Sequence, residues 1–180
     1  MGIFEDEVYN LASTFRSAII SAKDEGYFLR DHSFNHFPRG CCGDSCYLLA
    51  TFLKSYDIQT IYVWGDYGWQ SHAWLVVNDE RVKLPKTRQI NMGAECETLL
   101  RYYGNESGYP KEITNYQARD LSNGLVVDIT ADQFGEPPVY VGKRNAFYRK
   151  YLFRDAHICY GASDYRLNEL YNKIIPFLPE

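Results

Sequence analysis

Apolar residues recur at helical spacing near both ends of this chain. From Phe4 to Lys23 they lie three or four positions apart behind an acidic first turn, which predicts an amphipathic helix that ends near Gly26. The same spacing runs from Asp164 to Leu178, with Pro176 close to the end of the pattern. We therefore expect a helix near each end, each packing one apolar face against a core.

Shorter apolar runs, rich in β-branched and aromatic residues, lie between these two helices. Ile58–Trp64 and His72–Val77 flank the turn sequence Gly65–Gly68, which predicts two antiparallel strands. Leu125–Ile129 and Val139–Gly142 predict two further strands. A mixture of helices and antiparallel strands predicts an α+β fold.

Two stretches follow neither period. Arg81 to Asn123 contains several glycines and prolines and interrupts the run of strands, so we interpret it as an insertion within a single domain of residues 1–180. Such an insertion is either a lid or binding loop, or a surface elaboration without a role. Residues 145–154 are basic and aromatic and are compatible with a helix or with extended chain.

Composition and charge narrow the classes of function. The net charge is −4, and no apolar run approaches the roughly 18 residues of a transmembrane helix, so we expect neither nucleic acid nor a membrane as a partner. The acidic N-terminus leads into no signal-type segment, which favours the cytoplasm without excluding secretion as an effector. Five cysteines, crowded partly into one stretch, indicate free thiols rather than a disulfide framework.

That stretch carries the main chemical signal. A short turn containing proline and glycine leads to three cysteines at the start of an apolar helix, namely Cys41, Cys42 and Cys46. The helix is predicted to begin around residues 43–45, with Asp44 or Ser45 as its N-cap. Free N–H groups and the positive end of the helix dipole favour a thiolate there, and any of the three cysteines could supply it.

A base and an orienting carboxylate follow along the chain. His72 begins a predicted strand beside the small Ala73, so its ring could face the cysteine helix. Asp128 lies inside an apolar strand, where a carboxylate is costly unless it is hydrogen-bonded, and an imidazole N–H is a suitable partner. Cysteine, histidine and aspartate in this order predict a nucleophile, its base and the group that orients the base.

These motifs resemble the transglutaminase-like branch of the papain-like cysteine hydrolases, over roughly Gly40 to Phe134 and about half of the chain. That family places a small residue four positions after its nucleophile, followed by a strand-borne His-Ala-Trp and a later aspartate. With Cys42 as the nucleophile, Cys46 takes the small position, whereas Cys46 as the nucleophile would lie a full turn inside the helix. Papain-type proteases use the second thiol of a similar Cys-Gly-Ser-Cys sequence, but this chain has one residue more between its two thiols. Ile129 also stands where the family usually has proline.

The resemblance implies a papain-like fold and a triad of Cys42, His72 and Asp128 for acyl transfer. Cys42 would attack a carboxamide or peptide carbonyl, and the N–H of Cys42 would stabilise the oxyanion. His72 would pass the proton to the leaving amine while Asp128 holds the imidazole tautomer. A protein or peptide substrate is implied, with no cofactor or metal, and protease, glutamine deamidase and transglutaminase activities all stay open.

Two other interpretations use the same residues. A non-catalytic protein-binding domain would keep the fold and use the aromatic residues of 27–37 and 67–70 as a groove. A zinc site built from the clustered thiols and His72 is disfavoured, because the paired Cys-x-x-Cys spacing is missing. Cys96 and Cys159 are interpreted as structural.

Overall fold

The structure, a computed structural model, describes residues 3–77 and 124–179. Its helices are α1 (Ile3–Asp24), α2 (Cys42–Lys54), α3 (Ala146–Arg149) and α4 (Tyr165–Ile174). Its strands are β1 (Thr60–Tyr67), β2 (Gln70–Val77), β3 (Leu125–Asp128), β4 (Tyr140–Lys143) and β5 (Leu152–Cys159). The architecture is α+β, and the predicted insertion at 81–123 lies outside the described residues.

The described strands form one antiparallel sheet in the order β4-β3-β2-β1-β5. The predicted antiparallel pairing of β1 with β2 is confirmed, but the predicted turn at 65–68 was wrong. Tyr67 pairs with Gln70, so the loop consists of Gly68 and Trp69 alone. Gly68 has a φ of 59°, and a two-residue loop with a positive φ matches the twist of the flanking strands.

The strand β5 was missed by the sequence pattern. It pairs with β1 along the edge of the sheet, from Thr60 opposite Cys159 to Asp66 opposite Leu152. Charged residues interrupt the alternation of apolar and polar residues in this segment, so its sequence does not indicate a strand. The stretch 145–154, which was compatible with a helix or extended chain, contains both, since α3 ends at Arg149 and β5 begins soon afterwards.

The sheet separates two hydrophobic cores. On one face, α1, α2 and α4 pack against the sheet, with Phe15 and Phe52 stacked at 5.1 Å between ring centroids. On the other face, Trp74 of β2 packs against aromatic residues of α3 and the segment that follows it. β3 ends at Asp128, one of the three candidate catalytic residues.

The terminal helices match the sequence pattern closely. The helix predicted over Phe4 to Lys23 is confirmed as α1, and Gly26 follows it with a φ of 83°. α4 begins after Asp164, whose carboxylate accepts the Leu167 N–H at 2.7 Å, and it ends in a short 3-10 turn that contains Pro176. No helix within residues 3–77 and 124–179 is long and apolar enough to cross a membrane.

Candidate active site

Cys42 is the first residue of α2, and Cys41 is the N-cap without a side-chain capping bond. The predicted capping by Asp44 or Ser45 was therefore wrong, because the helix begins earlier and both residues lie inside its first turn. Asp44 instead pairs with Arg166 at 2.7 Å. The first intrahelical bond runs from the Ser45 N–H to the Cys41 carbonyl at 2.8 Å. The N–H groups of residues 42–44 therefore have no partner within the helix.

Burial distinguishes the four cysteines that the structure describes. Cys42 is half-buried, whereas Cys41, Cys46 and Cys159 are buried in the core. Burial raises the pKa of Cys41 to about 12 and that of Cys159 to about 11, and it raises the pKa of Cys46 well above the ordinary value. Protonated, buried thiols are poor nucleophiles, so Cys42 is the accessible thiol of this group. Cys96 lies outside the described residues.

His72 and Asp128 form a buried pair. His72 Nε2 lies 2.6 Å from Asp128 Oδ2, and both side chains are almost fully shielded from solvent. The β2–β3 ladder ends where Leu75 pairs with Val127, so β3 does not extend along the part of β2 that carries His72. His72 Nδ1 is buried and has no hydrogen-bond partner among the described residues.

Both Asp128 and Cys42 affect the pKa of His72. Burial lowers this pKa, but the charge and hydrogen bond of Asp128 raise it, and the nearby Cys42 acts in the same direction as Asp128. The resulting pKa is about 9. Because Nε2 is engaged by Asp128, Nδ1 is the nitrogen available to the thiol. At neutral pH the imidazolium is favoured, which is the state that stabilises a neighbouring thiolate.

Four donors converge on the Asp128 carboxylate. Oδ1 accepts the Thr130 N–H at 2.8 Å and the Thr130 hydroxyl at 3.1 Å. Oδ2 accepts the Tyr148 hydroxyl at 3.1 Å in addition to His72. Burial and the charge of Asp128 raise the pKa of Tyr148, so its hydroxyl stays a donor. Both carboxylate oxygens are therefore fixed in place before any substrate binds.

Aromatic rings enclose the imidazole of His72. Five rings have centroids between 4.9 and 6.5 Å from it, namely those of Trp74, Phe134, Phe147, Tyr148 and Tyr151. Such a shell excludes water and strengthens the electrostatic interactions inside it. The composition signals aromatic richness, but no sequence pattern identifies these rings or the Tyr148 hydroxyl as neighbours of the dyad. Thr130 carries a weak local signal, because an aspartate side chain commonly accepts a backbone N–H two residues ahead.

Arg16 of α1 holds the chain on both sides of the site. Its guanidinium donates to the carbonyl of Ile129 and pairs with Asp132 Oδ2 at 2.6 Å. It also lies 5.0 Å from the ring centroid of Phe37, in the loop that leads to Cys42. Arg16 is buried, so this contact joins the segment after Asp128 to the segment before the thiol through one side chain.

Substituting Arg16→Met should lower the free energy of unfolding by about 2–4 kcal/mol, because it leaves Asp132 and the Ile129 carbonyl without their donor. Urea unfolding of the two proteins measures the difference. The matched control is Lys173→Met, which breaks an exposed pair with Glu169 four residues away and should cost less than about 0.5 kcal/mol. Equal losses in both variants would show that Arg16 does not hold the site together.

Comparisons of the chain with protein-family models, curated proteins and solved structures find no match. The resemblance to the transglutaminase-like hydrolases therefore stays a prediction. Within residues 3–77 and 124–179, no group of three or more histidine, cysteine, aspartate or glutamate side chains is arranged to hold a metal ion.

Proposed function

We propose that this protein is a cysteine-dependent amidase or acyl transferase that acts on a carboxamide or peptide carbonyl of a protein or peptide. The buried His72–Asp128 pair carries the proposal, because its second imidazole nitrogen is left available to the half-buried thiol of Cys42. A buried imidazole held by a carboxylate on one side and adjacent to a thiol on the other is the arrangement that activates a cysteine nucleophile.

In the proposed reaction the Cys42 thiolate forms a bond to the carbonyl carbon, and the carbonyl π electrons move onto the oxygen. The imidazolium of His72 then gives its Nδ1 proton to the leaving amine as the carbon–nitrogen bond breaks. Asp128 holds the imidazole tautomer throughout. Water or an amine then attacks the thioester carbon and passes a proton to His72, and the carbon–sulfur bond breaks to release the product and restore the Cys42 thiolate. Water gives hydrolysis or deamidation, and an amine gives transamidation.

We further propose that the fold is papain-like, of the transglutaminase-like type. Three features support this proposal: a thiol at the start of a helix, a histidine on a neighbouring antiparallel strand, and an aspartate at the end of the next strand. The helix α2 packs directly against β2, which brings the first two together. The aspartate, Asp128, is the last residue of β3, and its carboxylate contacts the imidazole of His72.

A peptide whose glutamine side chain ends in a chloromethyl ketone tests the function. We expect Cys42 of the native protein to displace chloride from the probe and form a thioether, which mass spectrometry maps. The expected rate is at least roughly 10²-fold above that of the urea-unfolded protein, because only the folded site places His72 near the thiol and binds the carbonyl. A native protein no faster than the unfolded one would contradict catalysis and favour a non-catalytic binding domain.

A further inference from the structure

Tyr151 presents a second buried polar atom without a partner at the candidate active site. Its side chain is 2% exposed, and its hydroxyl has no hydrogen-bond partner within the described residues. Its ring lies 5.7 Å from that of His72 between centroids. Buried hydroxyls in native proteins are nearly always paired, so an unpaired one beside a reactive dyad indicates a functional role.

The hydroxyl of Tyr151 is a neutral donor within electrostatic reach of the nucleophile. Burial raises the pKa of Tyr151 to about 12, and the negative charges of Asp128 and then Cys42 act in the same direction. At neutral pH the phenol therefore keeps its proton. A neutral O–H held in a dry aromatic shell is suited to meeting a negative charge that appears only during a reaction.

Tyr148 and Tyr151 lie close together but have different surroundings. The Tyr148 hydroxyl donates a hydrogen bond to Asp128, the carboxylate that orients the imidazole of His72. The Tyr151 hydroxyl has no hydrogen-bond partner among the described residues, although both rings pack around His72. Of the two phenols, only Tyr151 has a hydroxyl without a partner among residues 3–77 and 124–179, and we assign this donor to the substrate.

We propose that Tyr151 donates a hydrogen bond to the oxyanion that forms when Cys42 attacks the substrate carbonyl, an inference that rests on the proposed function. The N–H of Cys42, which has no partner within α2, is the second donor in this proposal. As the sulfur–carbon bond forms, the π pair of the carbonyl moves onto the oxygen, and Tyr151 keeps its proton. When the intermediate collapses, the pair returns and the leaving group departs.

Two reactions of the same thiol separate this role from a purely structural one. p-Nitrophenyl acetate acylates a thiolate through a tetrahedral oxyanion and releases p-nitrophenolate in a burst. Iodoacetamide alkylates the same thiolate at a saturated carbon, loses iodide and forms no oxyanion. We expect Tyr151→Phe to lower the burst rate constant roughly 10–100-fold and to change the alkylation rate of Cys42 by less than about twofold.

Tyr140→Phe is the matched control, since it removes a phenol hydroxyl from the same ring cluster. The Tyr140 hydroxyl donates to the Lys143 carbonyl at 2.6 Å, and its ring packs against Tyr148 at 5.2 Å. Both rates should stay at the wild-type level in this variant. Removing an unpaired hydroxyl leaves every hydrogen bond of the described fold intact, so Tyr151→Phe should also unfold at an unchanged or higher urea concentration.

The possible outcomes are distinct. A wild-type burst that is unchanged in Tyr151→Phe would overturn the role of Tyr151 and leave the proposed function standing. Equal slowing of acylation and alkylation would overturn it as well, because the hydroxyl would then act on the thiol rather than on the oxyanion. A wild-type protein without any burst would overturn the proposed function together with the inference.

Discussion

Replacing Cys42 by alanine is expected to abolish both the burst with p-nitrophenyl acetate and the rapid labelling by iodoacetamide near pH 7. Cys42 combines a half-buried thiol, the N-terminus of α2 and a protonated His72 beside it. Reactive cysteines are typically found in such surroundings, and no other described cysteine has all three features. Loss of the nucleophile should lower acyl transfer by roughly 10⁴-fold or more. Mass-spectrometric mapping of the alkylated peptides measures the labelling site by site.

Cys46→Ala is the matched control, because it removes a neighbouring thiol from the same helix. Cys46 is buried against the core, and burial raises its pKa well above the ordinary value. The variant should label at Cys42 at the wild-type rate and lose about 1 kcal/mol of stability through the small cavity. Equal labelling of Cys42→Ala and Cys46→Ala would contradict the assignment, and loss of labelling in Cys46→Ala alone would transfer the role to Cys46.

The sequence indicates His72 and Asp128 for different reasons. Asp128 lies inside an apolar strand, where burying a carboxylate without a partner is costly, and His72 begins another apolar strand beside the small Ala73. The structure places the two within 2.6 Å of each other, although 56 residues separate them along the chain. The helix α2, which begins at Cys42, could also be predicted from the sequence, because its apolar periodicity and the preceding turn are local signals.

The supporting contacts have no comparable local signal. Tyr148 reaches Asp128, and Arg16 reaches the carbonyl of Ile129, only because the order of the strands and the packing of α1 bring them there. Periodicity shows which face of an element is buried but not which element covers it. For the same reason β5 was missed, since an edge strand with charged residues lacks the alternation that reveals a half-buried strand.

Asp128→Asn is expected to slow acyl transfer roughly 10²–10⁴-fold, because an amide cannot replace this carboxylate. Both oxygens of Asp128 accept hydrogen bonds, Oδ1 from Thr130 and Oδ2 from His72 and Tyr148. An amide has one acceptor oxygen, so its NH₂ group must face a donor in either orientation. The imidazole then loses its fixed tautomer or the Thr130 turn loses its acceptor. Burst kinetics with p-nitrophenyl acetate measure the loss.

The same variant tests the charge of His72 through the pH dependence of stability. The pKa of His72 is raised from 6.5 to about 9 in the folded protein, chiefly because Asp128 outweighs burial. A raised pKa means that the stabilisation is fully present below pH 6.5 and is lost as the pH rises through about 9. Without Asp128, burial favours the neutral imidazole, and this dependence should disappear. The difference in unfolding free energy between wild type and Asp128→Asn should therefore be about 3–5 kcal/mol near pH 6 and shrink toward pH 9.

Urea unfolding at several values between pH 6 and pH 9 measures this difference. Comparing two proteins cancels the titration of the other buried groups, including the thiols of Cys41 and Cys159, whose raised pKa values lie above this range. Asp66→Asn is the control, since it breaks an exposed pair with Arg154 and should give a small offset that does not change with pH. If the curves of wild type and Asp128→Asn run parallel, the His72–Asp128 bond joins a neutral imidazole to the carboxylate. Cys42 would then lack the imidazolium that the proposed reaction requires.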